Sequence, residues 1–403
     1  MDTSDKNKME LSGVIPMQIG FIDFSKEERN KILATLKLLG TQTALDELGI
    51  GVIRDAYADI LFPGISTIQT RAKYFVLIPY LFNRAGNQNL SGGREVLRWI
   101  NNSEDKLVET LLKNSKSEET GIIGKNALRQ KRAVKMKPSS IYWNGLRTFE
   151  IIRASGVSMA AACTITAKTA KQKNDLEIKT EGETFDDSAA IGSGTVLFSP
   201  ISPDYDFENK ASILLTKKEA EYLADKISKA IASKDTLLAF LVKNKLDCNS
   251  FDEMPIDILP APIKRDYLLA RDFSDFIIGA HIRYNVIFSE HEDIEMIQEW
   301  ENWRNAFLVR KFDLEAILSR ITCNNSTQRF CKDFMELTYS GHLEKIDELI
   351  IFREKAVKGD RAKLHKPAEY RYNYDRPVHF YRLDFRFGTA KTIIRDIIMG
   401  LEG

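Results

Sequence analysis

The chain has few of the residues that support redox chemistry or metal binding. Its 403 residues include 4 cysteines and 5 histidines. No two cysteines have the CxxC spacing of zinc or redox sites, and the histidines lack the HExxH spacing of zinc proteases. We therefore expect reduced thiols in an intracellular protein, with no zinc site and no cofactor.

Long apolar runs are also missing. The densest apolar stretch, 74–82, contains Pro79, whereas a transmembrane helix needs about 20 apolar residues. Residues 1–10 carry charges of both signs and have no apolar core of the kind that signal peptides contain. These features predict a cytoplasmic protein that does not contact the membrane.

Over the whole chain, neither basic nor acidic residues are in excess: there are 58 Lys and Arg residues against 57 Asp and Glu residues. The distribution is nevertheless uneven. Residues 125–173 contain eleven basic residues and one acidic residue, Glu150, a local net charge of +10. Residues 290–301 show the opposite bias, with six acidic side chains.

Helical periodicity is the main local pattern, and capping-box spacings at Ser25 and Thr216 mark two helix starts. Two further helices are predicted within 91–114, separated at 101–103. The other helices are predicted over residues 25–40, 52–61, 66–75, 216–232, 233–243, 263–288, 293–318, 328–339 and 343–357.

Two segments depart from this pattern. Residues 370–387 alternate apolar and charged side chains at a period of two, which predicts a hairpin or edge strand. Residues 176–203 are acidic and rich in Gly, Ser and Thr. We therefore predict a mainly α fold of two helical lobes with a small β element near the C-terminus. The lobes would comprise residues 1–174 and 211–403, joined by a polar linker or insertion at 175–210.

The predicted turn at residues 62–64 joins two helices in a manner that resembles a helix-turn-helix unit. The second helix would begin with short polar side chains and an arginine, as recognition helices do when they contact phosphates and base edges. The candidate DNA-contacting residues are Thr67, Gln69, Thr70 and Arg71. An ordinary helical hairpin with a polar first turn is the alternative.

The basic stretch suits a phosphate backbone, with a neighbouring indole ring for base stacking. The candidate residues are Lys125, Arg129, Arg132, Lys135, Lys137 and Trp143. Two alternatives are a solvated helix face and neutralisation by the chain's own acidic segment 290–301.

Near the C-terminus, residues 370–382 interleave aromatic rings with guanidinium groups. Such a surface stacks on unpaired bases, so Arg371, Arg376 and Arg382 are further nucleic-acid-binding candidates. Aromatic and charged residues also alternate in a half-buried strand, which is the structural alternative.

Catalytic motifs are incomplete. Residues 121–125 lack the spacing of a phosphate loop and the Ser or Thr after its lysine, and residues 156–160 lack one glycine of a nucleophile elbow. Glu177 and Lys179 resemble part of a metal-dependent nuclease site, although no preceding strand supplies the first carboxylate. The pattern favours a noncatalytic protein.

Asp55 and Asp59 are four residues apart on a predicted helix and would repel each other unless a cation lay between them. Together with Arg54 they predict a buried polar network rather than a catalytic site.

Three runs resemble a known family: residues 20–25 (GFIDFS), the block 46–75 that begins DELGIGVIRD and contains TIQTRAKYF, and residues 138–143 (PSSIYW). The family is an uncharacterised bacterial one, domain of unknown function six-three-six-one (DUF6361), and is met in antiphage-defence gene neighbourhoods. The resemblance implies a defence setting with helicases or nucleases as partner proteins. It supplies no catalytic residue.

Together these observations predict a noncatalytic subunit of a bacterial antiphage-defence assembly that binds DNA or RNA or acts as an adaptor. One alternative is a protein-interaction scaffold for a helicase or nuclease without nucleic-acid contact. The other is a divergent metal-dependent nuclease.

Overall fold

Helices account for nearly all regular structure in a computed structural model of the chain. The structure describes residues 46–116, 118–154, 156–180, 197–199, 201–371 and 377–403, with the backbone alone for 172–180. The predicted helix that follows Ser25 lies outside these residues. Within them, no helix is both long and apolar enough for a bilayer span.

Seven described helices lie within residues 46–210: α1 (Gly51–Leu61), α2 (Tyr74–Ala85), α3 (Gly93–Asn114), α4 (Lys125–Arg129), α5 (Pro138–Thr148), α6 (Met159–Thr180) and α7 (Phe207–Lys210). Nine follow: α8 (Lys217–Lys229), α9 (Leu237–Lys243), α10 (Ala261–Phe288), α11 (Ile294–Leu308), α12 (Leu314–Ser319), α13 (Asn325–Ser340), α14 (Leu343–Lys358), α15 (Pro367–Tyr370) and α16 (Phe387–Glu402).

Local capping explains several helix starts. The capping box predicted at Thr216 is confirmed, since its hydroxyl accepts the Glu219 amide and the Glu219 carboxylate accepts the Thr216 amide. Side chains of Thr236, Asp293 and Asn324 likewise accept first-turn amides of α9, α11 and α13. These bonds satisfy amides that have no partner inside the helix.

Three predicted helix boundaries are wrong, one of them that of the single helix expected at 293–318, which is interrupted at 309–313 between α11 and α12. Residues 91–114 were expected to form two helices, but α3 runs unbroken through 101–103 because its buried apolar stripe, from Val96 to Leu111, keeps helical spacing across the polar residues. The helix expected at 66–75 begins only at Tyr74 and continues through Pro79 to Ala85. Residues 66–73 form turns instead.

The predicted C-terminal β element is not found among the described residues, which contain no strand, only an isolated bridge between Ile152 and Phe198. Leu383, Phe385 and Phe387 are buried in alternation as predicted. The backbone is nevertheless not extended, because Phe385 and Arg386 have φ angles of 49° and 69°. A helix, α16, follows directly, and the sequence pattern did not reveal it.

Residues Leu48–Gly403 cluster as one compact unit. In it α3 packs on α6, α10 on α11, and α13 on α14, while α16 packs on α8 and α9. Helices from the two ends of this unit therefore share a core. The predicted division at 175–210 stays a prediction, with residues 181–196 outside the described ranges.

Candidate nucleic-acid interface

The turns at 66–73 do not present a recognition helix. Gln69 is buried, and its side-chain amide binds its own loop: Nε2 donates to the Gly64 carbonyl at 3.0 Å, and Oε1 accepts the Ser66 amide at 3.2 Å. Thr70 donates its hydroxyl to the Gly121 carbonyl at 2.7 Å, whereas Thr67 is exposed. Residues 66–73 therefore close a loop instead of forming the predicted recognition helix.

Arg71 is buried in an ion pair with Asp396 of α16. Its Nε donates to both carboxylate oxygens at 3.0 and 2.9 Å, and its Nη1 donates to the Thr120 carbonyl at 3.0 Å. Burial raises the pKa of Asp396, and the guanidinium of Arg71 offsets part of that rise. This arginine is thus engaged inside the fold and is not available to a guanine base.

Lys73, two residues further on, is fully buried against the start of α8. Its Nζ lies 2.5 Å from Oε2 of Glu219, the carboxylate of the capping box. Tyr80 and Tyr205 donate their hydroxyls to Oε1 of the same carboxylate, at 3.2 and 3.0 Å. Burial lowers the pKa of Lys73, and Glu219 opposes this change. The polar residues of the 46–75 block therefore hold helices together.

Trp143 is also unavailable for base stacking. It is buried, its Nε1 donates to the Val157 carbonyl at 3.0 Å, and its ring packs on Phe82 and Phe198. The neighbouring Tyr142 is buried too and accepts the Thr70 amide at 2.7 Å. Both rings therefore belong to the core, and Trp143 lacks the exposed face that base stacking needs.

The C-terminal arginines are neutralised within the chain. Arg371 lies 2.8 Å from a Glu290 oxygen and 3.3 Å from a Glu292 oxygen, and Arg382 pairs with Asp275. Arg376 lies outside the described residues. Arg371 and Arg382 are therefore poor candidates for nucleic-acid binding.

A basic segment, defined here as residues 125–135, remains exposed. It comprises α4 and the following turn, where Lys131 has a φ of 51°. Its basic side chains are exposed except that of Lys125, which is half-buried. In the part of the chain that the structure describes, none of them has a carboxylate within 4 Å; they are Lys125, Arg129, Lys131, Arg132 and Lys135.

The acidic segment 290–301 does not neutralise these cations. Among its described contacts, Glu290 and Glu292 pair with Arg371, and Glu301 lies 4.0 Å from Arg304. Most other arginines of residues 201–403 also have carboxylate partners: Arg283, Arg310, Arg320, Arg386 and Arg395. Carboxylate partners are thus common among these arginines, whereas the five cations of the basic segment have none among the described residues.

The basic segment is held against α3. A Cβ placed on Gly124 would lie 2.9 Å from a Val134 methyl carbon and 3.1 Å from a Val108 methyl carbon, so the chain approaches α3 closely there. Beyond the segment, Lys137 donates to Asp105 at 2.5 Å and to the Asn101 carbonyl at 3.3 Å. Of the predicted phosphate-binding cations, Lys137 is therefore already paired.

Next to this contact, Glu104 is buried and accepts the Ser139 amide at 2.6 Å, at the first turn of α5. Burial raises its pKa to about 7, and the bond from Ser139 limits the rise. A group that titrates near neutral pH thus lies at the base of the exposed segment.

Asp55 and Asp59 do form a polar network, but the prediction that it is buried is wrong, since Asp59 is exposed and Asp55 is half-buried. Arg386 places its guanidinium between the carboxylates, 3.3 Å from Asp55 and 2.6 Å from Asp59. Arg54 lies 3.2 Å from Asp55. A distant cation thus removes the repulsion expected from the sequence.

The described residues contain no group of three or more His, Cys, Asp or Glu side chains placed to hold a metal ion. Glu177 and Lys179 lie in α6, where only the backbone is described. Glu208 pairs with Arg84. The nuclease alternative stays a prediction.

Within the described residues, these features define a helical protein with a basic segment exposed on its surface. The chain belongs to the family of unknown function DUF6361, whose sequence profile matches residues 17–294, and the predicted resemblance is confirmed. The match includes the 46–75 block and the basic segment. No curated protein and no solved structure matches the chain.

Proposed function

We propose that this chain is a noncatalytic nucleic-acid-binding subunit whose basic segment binds phosphate groups. The observation that carries the proposal is the set of five cations within residues 125–135 that lack a carboxylate within 4 Å among the described residues. Exposed cations without internal partners gain free energy by displacing the counterions of a polyanion. Most of the other residues predicted to bind nucleic acid do not contribute in this way, because they are buried or paired within the fold.

The cellular setting belongs to the same proposal. A subunit that binds DNA or RNA without cleaving it would place a helicase or nuclease partner on its substrate. The resemblance to the family implies an antiphage-defence setting, and an adaptor role would suit that setting. The contacts would be electrostatic, so binding would fall steeply with salt.

Fluorescence anisotropy with a labelled DNA duplex and a labelled RNA hairpin tests the proposal between 50 and 200 mM salt. The variant Arg129→Gln/Arg132→Gln/Lys135→Gln should bind at least tenfold more weakly at 100 mM salt. The slope of log K against log salt concentration should become smaller in magnitude by about 2.7, because each of the three lost phosphate contacts accounts for about 0.9.

The control Lys217→Gln/Lys234→Gln/Lys243→Gln removes the same charge from three exposed lysines of α8, its neighbouring turn and α9. It should bind like the wild type. No binding by the wild type at 50 mM salt, or equal loss in both triple variants, would refute a site at the basic segment.

A second candidate function is protein binding without nucleic acid. It is favoured by Leu128, whose side chain lies within the basic segment and is 37% exposed. A phosphate backbone offers such a side chain no apolar partner, whereas an acidic protein surface does. If a helicase or nuclease copurifies after nuclease treatment, and Leu128→Ser abolishes this while DNA affinity is absent, the second function replaces the first.

A further inference from the structure

Five residues of α3 lie along one face of the helix. Arg94, Arg98, Asn101, Asp105 and Val108 follow one another at intervals of four, three, four and three residues. This spacing places side chains above one another on a helix. Arg94 and Arg98 are exposed, and neither has a carboxylate within 4 Å among the described residues.

The basic segment and its continuation contact the same face. A Cβ on Gly124 would meet methyl carbons of both Val134 and Val108. Lys137 donates to Asp105 and to the Asn101 carbonyl. The chain from 134 to 137 therefore runs antiparallel to α3, toward its N-terminus.

Arg98 and Arg94 come next in that direction. Fourteen residues separate Val108 from Arg94, which corresponds to about 21 Å at a rise of about 1.5 Å per residue. The end of the basic segment and the two arginines of α3 thus follow one another in a row along this face of the helix.

Acidic side chains do little to interrupt this row. Asp105 is paired with Lys137, and Glu95 accepts the Ser91 amide at 2.9 Å with Arg98 near it. Glu109 is exposed, but it lies past Val108 at the end of the row. Between Arg98 and Val108 the row itself therefore contains no unpaired acidic side chain.

Aromatic side chains are missing from the same surface. Among the described residues, the exposed aromatic rings are those of Tyr339, Phe352, Phe380 and Tyr381, and residues 48–199 expose none. Proteins that bind single strands rely on such rings to stack on bases. A row of cations without rings offers contacts to phosphates alone.

We propose that Arg94 and Arg98 extend the basic segment into a track, an inference that rests on the proposed function. The track binds the backbone of a nucleic-acid duplex without contacting its bases. A duplex carries more charge per unit length than a single strand, and about 21 Å spans about six base-pair steps of 3.4 Å. Because phosphates are the same at every step, the track binds unrelated sequences equally well.

The test compares Arg94→Gln/Arg98→Gln with the wild type on three unrelated 24-base-pair duplexes and on a 24-nucleotide oligo(dT). The variant should bind each duplex at least fivefold more weakly at 100 mM salt. Its salt slope should lose about 1.8, which corresponds to two phosphate contacts. The wild type should bind the three duplexes within about threefold of one another and oligo(dT) more weakly.

Lys106→Gln/Lys113→Gln is the matched control, because both lysines are exposed on α3 but lie on a different side of it. This variant should bind within twofold of the wild type. Circular dichroism melting of both variants establishes that the helix is intact.

The outcomes separate this inference from the function on which it rests. Wild-type affinity in Arg94→Gln/Arg98→Gln, with affinity lost in the basic-segment triple variant, would overturn the extension and leave the proposed function standing. Tighter binding of oligo(dT) than of duplex would overturn the ligand class. A wild type that binds neither would remove the proposed function itself.

Discussion

Arg71 and Asp396 form a buried ion pair across 325 positions of the chain. Nη2 of the arginine lies 2.8 Å from Oδ1 of the aspartate, and Oδ2 also accepts the Ala72 amide at 2.9 Å. The pair links α16 to the turns at residues 66–73, which precede α2. An arginine that looks like a DNA contact in the sequence therefore secures the tertiary structure.

Asp396→Ala should lower the free energy of unfolding by about 3–5 kcal/mol, because it leaves the Arg71 guanidinium buried without a counter-charge. Urea denaturation followed by circular dichroism measures the change. Asp247→Ala is the control, since it removes the partner of the neighbouring, more exposed Arg395 and should cost less than about 1 kcal/mol. Equal losses in the two variants would contradict the structural role of the buried pair.

Lys73 and Glu219 should behave as one unit. Lys73→Met leaves a buried carboxylate without its cation, and Glu219→Gln leaves a buried ammonium without its anion, so each should cost about 3–5 kcal/mol. The double variant removes both charges, while Tyr80 and Tyr205 still donate to the remaining carbonyl oxygen.

Urea unfolding of the four proteins gives the coupling free energy, and the double variant should be about 1–3 kcal/mol more stable than the sum of the single losses predicts. Additivity within about 0.5 kcal/mol would show that the two side chains do not depend on each other.

Glu104 should make stability depend on pH. Burial raises its pKa from an ordinary 4.5 to about 7, so between these values the folded state binds more protons than the unfolded state. The free energy of unfolding therefore falls as pH rises through this window and levels off above it. At about 1.4 kcal/mol per pKa unit, the contribution of this group amounts to about 3 kcal/mol.

The measurement is urea unfolding of the wild type and Glu104→Gln at pH 5, 6, 7 and 8. Glutamine keeps an acceptor for the Ser139 amide but does not titrate, so the stability of the variant relative to the wild type should rise with pH. A constant difference across this range would show that the carboxyl group is already ionised at pH 5.

Gly145→Ala should destabilise the fold although alanine favours helices by about 1 kcal/mol. A Cβ at this position would lie 2.6 Å from the Gly64 carbonyl oxygen and 2.7 Å from a ring carbon of Phe75. Backbone cannot move aside as a flexible side chain can, and we expect a net loss of about 1–3 kcal/mol. Calorimetric melting of the wild type and the variant measures this loss. Gly92→Ala is the control, since no atom lies within 4 Å of the added carbon, and it should change the melting temperature much less.

The sequence predicts those parts of the fold that depend on neighbouring residues. The capping box at Thr216 and the span of α10 follow from contacts within a few positions, and both are confirmed. The break expected at 101–103 is wrong because burial of the apolar stripe of α3 outweighs the low helix propensity of its asparagines. Helix α16 was missed because the alternation of residues 383–387 resembles a strand, although the backbone there turns.

The candidate site likewise has features that the sequence predicts and features that it does not. Exposure of the basic segment follows from its local charge, which no nearby acidic residue offsets. The burial of Gln69, Arg71 and Lys73 was not predictable, because Asp396 and Glu219, which fix two of them, lie 325 and 146 positions away. Sequence reasoning also missed Arg94 and Arg98, since their relation to the basic segment depends on how α3 packs.

The separation between Arg71 and Asp396 also affects biosynthesis. At a translation rate of about 5–20 residues per second, the ribosome adds the aspartate roughly 16–65 seconds after the arginine. During that interval the nascent guanidinium has no native counter-ion. The buried pair can therefore form only after residue 396 has been synthesised and has left the exit tunnel.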